Sequence, residues 1–186
     1  MFKFNLKKNK GPARTCFRGG FTLLEALVAT SILMVAVAAP ITIAQKGLSS
    51  AVYSKNQMIA SYLAQDAIEY IKNKRDENFI GNIGNANLDW LAGLGECLDG
   101  KSCAIDTKAD AGVGEIIEDE TGKLKKEKDS EGNFEFYGYS DSGEDTNFTR
   151  KINIIEADEV RALITVEVSW GSVENTVTVK TLIYNI

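Results

Sequence analysis

From Phe21 to Ala44 the chain carries a single charged residue, Glu25, in a run that is otherwise uncharged and mostly apolar. As a helix rising about 1.5 Å per residue, this run is long enough to cross the roughly 30 Å of hydrocarbon in a bilayer. The expectation is therefore a membrane-inserted helix. Lys3, Lys7, Lys8, Lys10, Arg14 and Arg18 precede it with no acidic residue among them, which by the positive-inside rule holds that end in the cytoplasm and sends the C-terminal bulk outward. A carboxylate in such a segment is costly and points to a functional partner, so Glu25 is the residue that most needs an explanation.

Charge divides at the same place. Six of the 21 basic residues and none of the 26 acidic ones fall in 1–20, so the formal charge of -5 splits into +6 before that boundary and -11 after it. A basic leader that is removed is no nucleic-acid patch, and no nucleic-acid partner is expected for the acidic remainder. The length leaves room for one extracytoplasmic domain of about 110 residues. Of the three cysteines, Cys16 lies in the leader. Cys97 and Cys103 remain as an exported pair, for which an oxidising compartment favours a disulfide.

Residues 49–77 hold no Pro or Gly, and Val52, Ile59, Tyr62, Leu63, Ala67, Tyr70 and Ile71 recur at three- and four-residue steps, the period of an amphipathic helix. Joined to the apolar run, one helix is predicted over about 21–77, apolar all round in 21–44 and striped in 45–77. Pro40 removes a backbone donor and crowds the carbonyl of Ala36, which predicts a helix kink or a locally unwound turn. Residues 78–114 are rich in Gly, Asn and Asp and read as loop, with one short segment near 88–91. A hairpin is predicted from 123–128 and 134–139 around the turn at 129–133, and an acidic turn over 141–145. Ala162, Ile164, Val166, Val168 and Trp170 alternate with Arg161, Leu163, Thr165, Glu167 and Ser169. Flanked by strands over 150–156 and 175–184, they form an antiparallel meander with one apolar face. The striped half of the helix is the cover available for that face, giving an α+β head over 78–186.

Chemistry is sparse. There is no histidine, and no phosphate loop or nucleophile elbow, so no catalytic residue is assigned and an enzyme is not expected. The acidic run over 115–120 reads as solvated surface. Asp129, Glu131 and Asn133, or Asp141, Glu144 and Asp145, offer hard oxygens that suit calcium, but neither set has EF-hand spacing. Ordinary turn chemistry is the preferred reading of both, with no metal or other cofactor assigned.

Gly20 followed by Phe21, Thr22, Leu23, Leu24 and Glu25, behind a short basic leader and ahead of a long apolar helix, resembles the processing signal of the type IV pilin and type II secretion pseudopilin superfamily. Phe148-Thr149-Arg150 before alternating strands and a closing Thr181-Leu182-Ile183-Tyr184-Asn185 are similar to its minor pilins. The cysteine pair lies ahead of the sheet, unlike that of many major pilins. The resemblance implies that a prepilin peptidase cuts between Gly20 and Phe21 and N-methylates Phe21. It further implies that Glu25 neutralises the terminal amine of a neighbouring subunit. Pro40 would then mark a stretch that melts on assembly. The implied partners are that peptidase, an inner-membrane assembly platform, other pilin or pseudopilin subunits, and lipid before assembly. The implied location is the inner membrane, then a pilus or pseudopilus at the cell surface or in the periplasm. The rival is an ordinary secretory signal, cut at the Ala36-Val37-Ala38 site to release a soluble binding domain beginning at Ala39.

Overall fold

The computed structural model describes residues 20–84, 88–107, 115–117, 122–140, 143–171 and 175–185. One helix, α1, spans Leu23–Ile83 without a break, with Pro40 inside it. The chain forms two compact units that divide between Ser49 and Ser50, so the helix contributes its first half to one and its second half to the other. After α1 come β1 (Ala104–Asp106), β2 (Glu115–Ile117), β3 (Lys123–Lys128), β4 (Phe134–Gly138), β5 (Glu144–Asp158), β6 (Arg161–Trp170) and β7 (Asn175–Tyr184). β1 and β2 make a two-stranded sheet, and the other five pair antiparallel in the order β4-β3-β5-β6-β7. The expected α+β class is the observed one.

In the second unit the alternation of β6 decides which face is buried. Ala162, Ile164, Val166 and Val168 are fully buried, and they stand in register with Ile152 and Ile154 of β5 and with Val177, Val179 and Ile183 of β7. Leu63, Ala67 and Ile71 of α1 join the same core, as expected from the helical stripe. The stripe is rotated from its predicted centre, however. Ala60, Ala64 and Ile68 are buried, whereas Tyr62 and Val52 are exposed. Periodicity finds a face but weights it by bulk, and here small alanines fill the side that meets the sheet.

The loop expected over 78–114 begins later, because α1 continues six residues further, to Ile83. Its asparagines have tertiary partners. Asn78 is buried and its amide donates to the carbonyls of Trp90 (3.1 Å) and Ala92 (2.9 Å), while Asn82 exchanges two hydrogen bonds with Leu88. In place of a segment at 88–91 there are turns and a short 3-10 helix, Gly95–Cys97. Cys97 is joined to Cys103 by a disulfide. Cys103 in turn exchanges backbone hydrogen bonds of 2.9 and 3.0 Å with Ile152, which fastens the disulfide loop to β5.

One turn assignment changes. Glu144 and Asp145 are strand residues, since β5 starts six residues before the expected 150–156 strand and pairs Asp145 with Lys125 and Glu144 with Lys126. Opposite charges facing across the ladder stabilise this pairing. Within the acidic run, Glu115–Ile117 is β2, paired with β1. The expected hairpin is present as β3 and β4.

Arg150 ties these elements together. Its side chain is fully buried. The guanidinium donates to the carbonyls of Leu63 in α1 (3.0 Å) and Ile105 in β1 (2.6 Å), reaches Asp66 at 3.4 Å, and lies 5.8 Å from the Tyr139 ring. Its backbone N–H donates to Gly122 at 2.7 Å. Gly122 sits at φ +57°, and a Cβ there would strike the Arg150 carbonyl oxygen. Replacing a buried charged donor by an apolar side chain leaves its partners unpaired, so Arg150→Met is expected to lower unfolding stability by about 3 kcal/mol or more, measured by denaturant unfolding of the full chain in detergent. Gly122→Ala, which combines a left-handed conformation with a backbone collision, should cost at least about 1–3 kcal/mol in the same assay.

Candidate functional site

The first unit begins with a cap. The Glu25 backbone N–H donates to Thr22 Oγ1 at 3.2 Å, and Ala26 N–H to the Thr22 carbonyl at 3.1 Å. Thr22 is therefore the N-cap residue of α1, with Glu25 three positions in, where a negative charge faces the positive end of the helix dipole. Reading the sequence for charge alone missed Thr22. The Thr-x-x-Glu spacing ahead of an apolar run is the signal that finds it.

Beyond the cap the helix presents apolar side chains on every side. Leu23, Leu24, Leu27, Ile32, Leu33, Met34, Val35 and Ile43 are all more than half exposed. The most apolar 18-residue window has a mean hydropathy of 2.3 and is not buried by any of the described residues. Each such side chain gains about 1.5–3 kcal/mol on leaving water, so a bilayer or other helices around such a segment would stabilise it. One helix near the N-terminus thus has the length and composition to cross a membrane. Its hydroxyls suit that setting. Thr30 donates to Leu27, Ser31 to Val28 and Thr42 to Ala38, all to backbone carbonyls one turn back, leaving no polar hydrogen to satisfy elsewhere. Glu25 differs. Among the described residues its carboxylate accepts no hydrogen bond and meets no cation.

Gly20 and Phe21 stand just before the helix. Phe21 is 77% exposed, and a Cβ built on Gly20 meets nothing within 4 Å. Among the described residues no contact demands glycine there. Pro40 is exposed within α1, and helical residues continue on both sides of it.

The acidic candidates in the second unit do not converge. Asp129 Oδ1 accepts from the backbone N–H groups of Glu131 (2.9 Å) and Asn133 (2.8 Å), closing the β3–β4 turn. Glu144 pairs with Lys128 at 3.0 Å and Asp145 with Lys123 at 2.7 Å, on β5. Asp141 lies outside the described residues. Among the described residues, no three acidic, cysteine or histidine side chains come together in a way that could hold a metal ion.

These bonds hold carboxylates below their ordinary range. Asp129 is lowered chiefly by the Asn133 backbone N–H, Glu144 by its bond to Lys128, Asp145 by its bond to Lys123, and Asp158 by its bond to Arg161. A carboxylate whose folded pKa is depressed contributes stability that is complete above its unfolded value and is lost as the pH falls through the folded one. The head is therefore expected to lose stability below about pH 4. Asp129→Asn, which keeps an acceptor but cannot titrate, should flatten that acid limb in unfolding curves taken from pH 7 to pH 2.

Comparison of the chain with family models, with curated proteins and with solved structures returns no match. A long apolar N-terminal helix followed by an antiparallel sheet is compatible with a pilin-like architecture.

Proposed function

We propose that this chain is a prepilin: a membrane-inserted subunit, cut after Gly20 and N-methylated at Phe21, that assembles through α1 into a type IV pilus or a type II secretion pseudopilus. The observation that carries this reading is the combination at the start of α1: a wholly uncovered apolar helix bearing one carboxylate without a partner among the described residues. A lone subunit in a bilayer leaves that charge poorly compensated. A second subunit whose free Phe21 amine approaches Glu25 neutralises it, so pairing and helix packing are gained in the same step. Under this reading the protein is a structural subunit and a substrate of a processing enzyme, with the disulfide-fastened head carried outside the membrane.

Gly20 supports the same reading. Among the described residues nothing comes within 4 Å of a Cβ built on Gly20, which is consistent with glycine being required there by a processing enzyme and not by the fold. The test is the N-terminal mass of the full chain expressed in cells that carry a prepilin peptidase. Expected is a terminus at Phe21 bearing one methyl group, abolished by Gly20→Ala while the head stays folded. Glu25→Ala should be processed normally but reduce filament formation at least about tenfold, as seen by electron microscopy and shear fractionation. A terminus at Ala39 would mean ordinary secretion and would end the prepilin reading.

A further inference from the structure

The second unit has a cleft at one end of its sheet and a complementary projection at the other. The cleft, about 490 Å³, lies between α1 and the β3–β4 hairpin and shares Ile59 and Tyr137 as lining with a smaller apolar hollow of about 250 Å³. Its floor is aromatic. Tyr137 packs at 5.0 Å from Phe134 and 6.0 Å from Phe148, and Phe134 remains 54% exposed. At its rim stand Lys55 and Lys126, both exposed and neither in an ion pair among the described residues.

The projection is the turn from β5 to β6. Asp158 holds it in shape by accepting from the Val160 N–H at 3.1 Å and pairing with Arg161. Those bonds leave Glu156 and Glu159 exposed and without a cation among the described residues, with Ile155 and Val160 half exposed beside them. The projection is thus anionic with apolar flanks, and the cleft has an aromatic floor and an excess of cations, since Asp145, which also lines it, is paired with Lys123.

Both features sit on the same strand. Asp145 of β5 lines the cleft and Asp158 of β5 begins the turn, thirteen residues on, or about 40 Å at the rise of a strand. Along α1 the order is the same. The cleft is walled by the helix around Lys55 and Ile59, whereas Arg75, further along, donates to the carbonyl of Tyr184, which pairs with Arg161 next to the turn. One copy cannot fill its own cleft. An occupant with the chemistry of this turn has to come from a second copy displaced along the strand direction.

We propose that the Glu156–Val160 turn of one copy docks in the Lys55/Lys126 cleft of the next, head to tail. It rests on the filament reading above, which supplies neighbouring copies at a regular spacing. The contact is heterologous, because the two patches differ, so repetition gives an open array and not a closed dimer. Charge at the rim sets register and partner choice, and the apolar flanks of the turn cover Phe134 and Tyr137.

The test uses the full chain in membranes of peptidase-bearing cells, with Cys16→Ser and a cysteine placed in each patch, Asn56→Cys and Val160→Cys, so that the four charges stay in place. Mild oxidation is expected to give a ladder of covalent multimers from the double variant and only monomer from either single variant. Adding Lys55→Glu and Lys126→Glu should cut the ladder about tenfold, and adding Glu156→Lys and Glu159→Lys on top should restore it. Absence of the ladder would overturn the proposal, as would dimers from Asn56→Cys alone, adducts with a different protein, or a ladder indifferent to charge reversal. The N-terminal mass of the same sample separates the two readings. A methylated Phe21 without a ladder sinks the docking alone, and a terminus at Ala39 sinks the filament reading.

Discussion

The second unit depends on a cation placed where water cannot reach it. Arg150 is fully buried and yet charged, a state that is tolerated only because α1 and β1 present their carbonyls to it and Asp66 lies within reach. Removing a guanidinium from water costs several kcal/mol, so each of these elements must be in place before the arrangement becomes favourable. That condition couples a helix, a two-stranded sheet and the central strand of the main sheet through one side chain. Gly122 lies against the backbone of the same residue, where only the absence of a Cβ allows the approach.

The two halves of α1 solve opposite problems with one continuous helix. Its later part meets the sheet through Ala60, Leu63, Ala64, Ala67 and Ile71, and its stability is that of ordinary core packing. Among the described residues its earlier part is uncovered, returns the hydroxyls of Thr30, Ser31 and Thr42 to its own backbone, and leaves Glu25 without a counter-charge. Whatever surrounds that part must be apolar everywhere except at one point. A membrane meets the first requirement. A neighbouring subunit with a free terminal amine meets both, and this is the physical basis of the proposed assembly.

Acidic residues that invite a metal reading are occupied in local work. Asp129 closes a hairpin turn on two backbone N–H groups, and Glu144 and Asp145 pair with Lys128 and Lys123 along β5. Spacing in sequence put three oxygens near one another, but the strand pairing turned Glu144 and Asp145 to lysines across the ladder. The same pairing converted an expected turn into strand, because cross-strand charge complementarity is invisible until the partner strand is known.

The sequence by itself determined the apolar helix with its lone glutamate, the alternating strands of β5, β6 and β7, the β3–β4 hairpin and the α+β class. These are consequences of period and polarity, which act locally and can be counted along the chain. It left the cysteines as a pair, and the structure joins them and fastens their loop to Ile152. Only the tertiary structure decided that Asn78 and Asn82 lie within a helix, that Ala60 and Ala64 face the sheet where Tyr62 was expected, and that Arg150 is the buried link between layers. Each of those outcomes turns on a carbonyl or a face contributed by residues far away in the chain. Propensity assigns asparagine to loops and arginine to surfaces until such a distant acceptor is supplied.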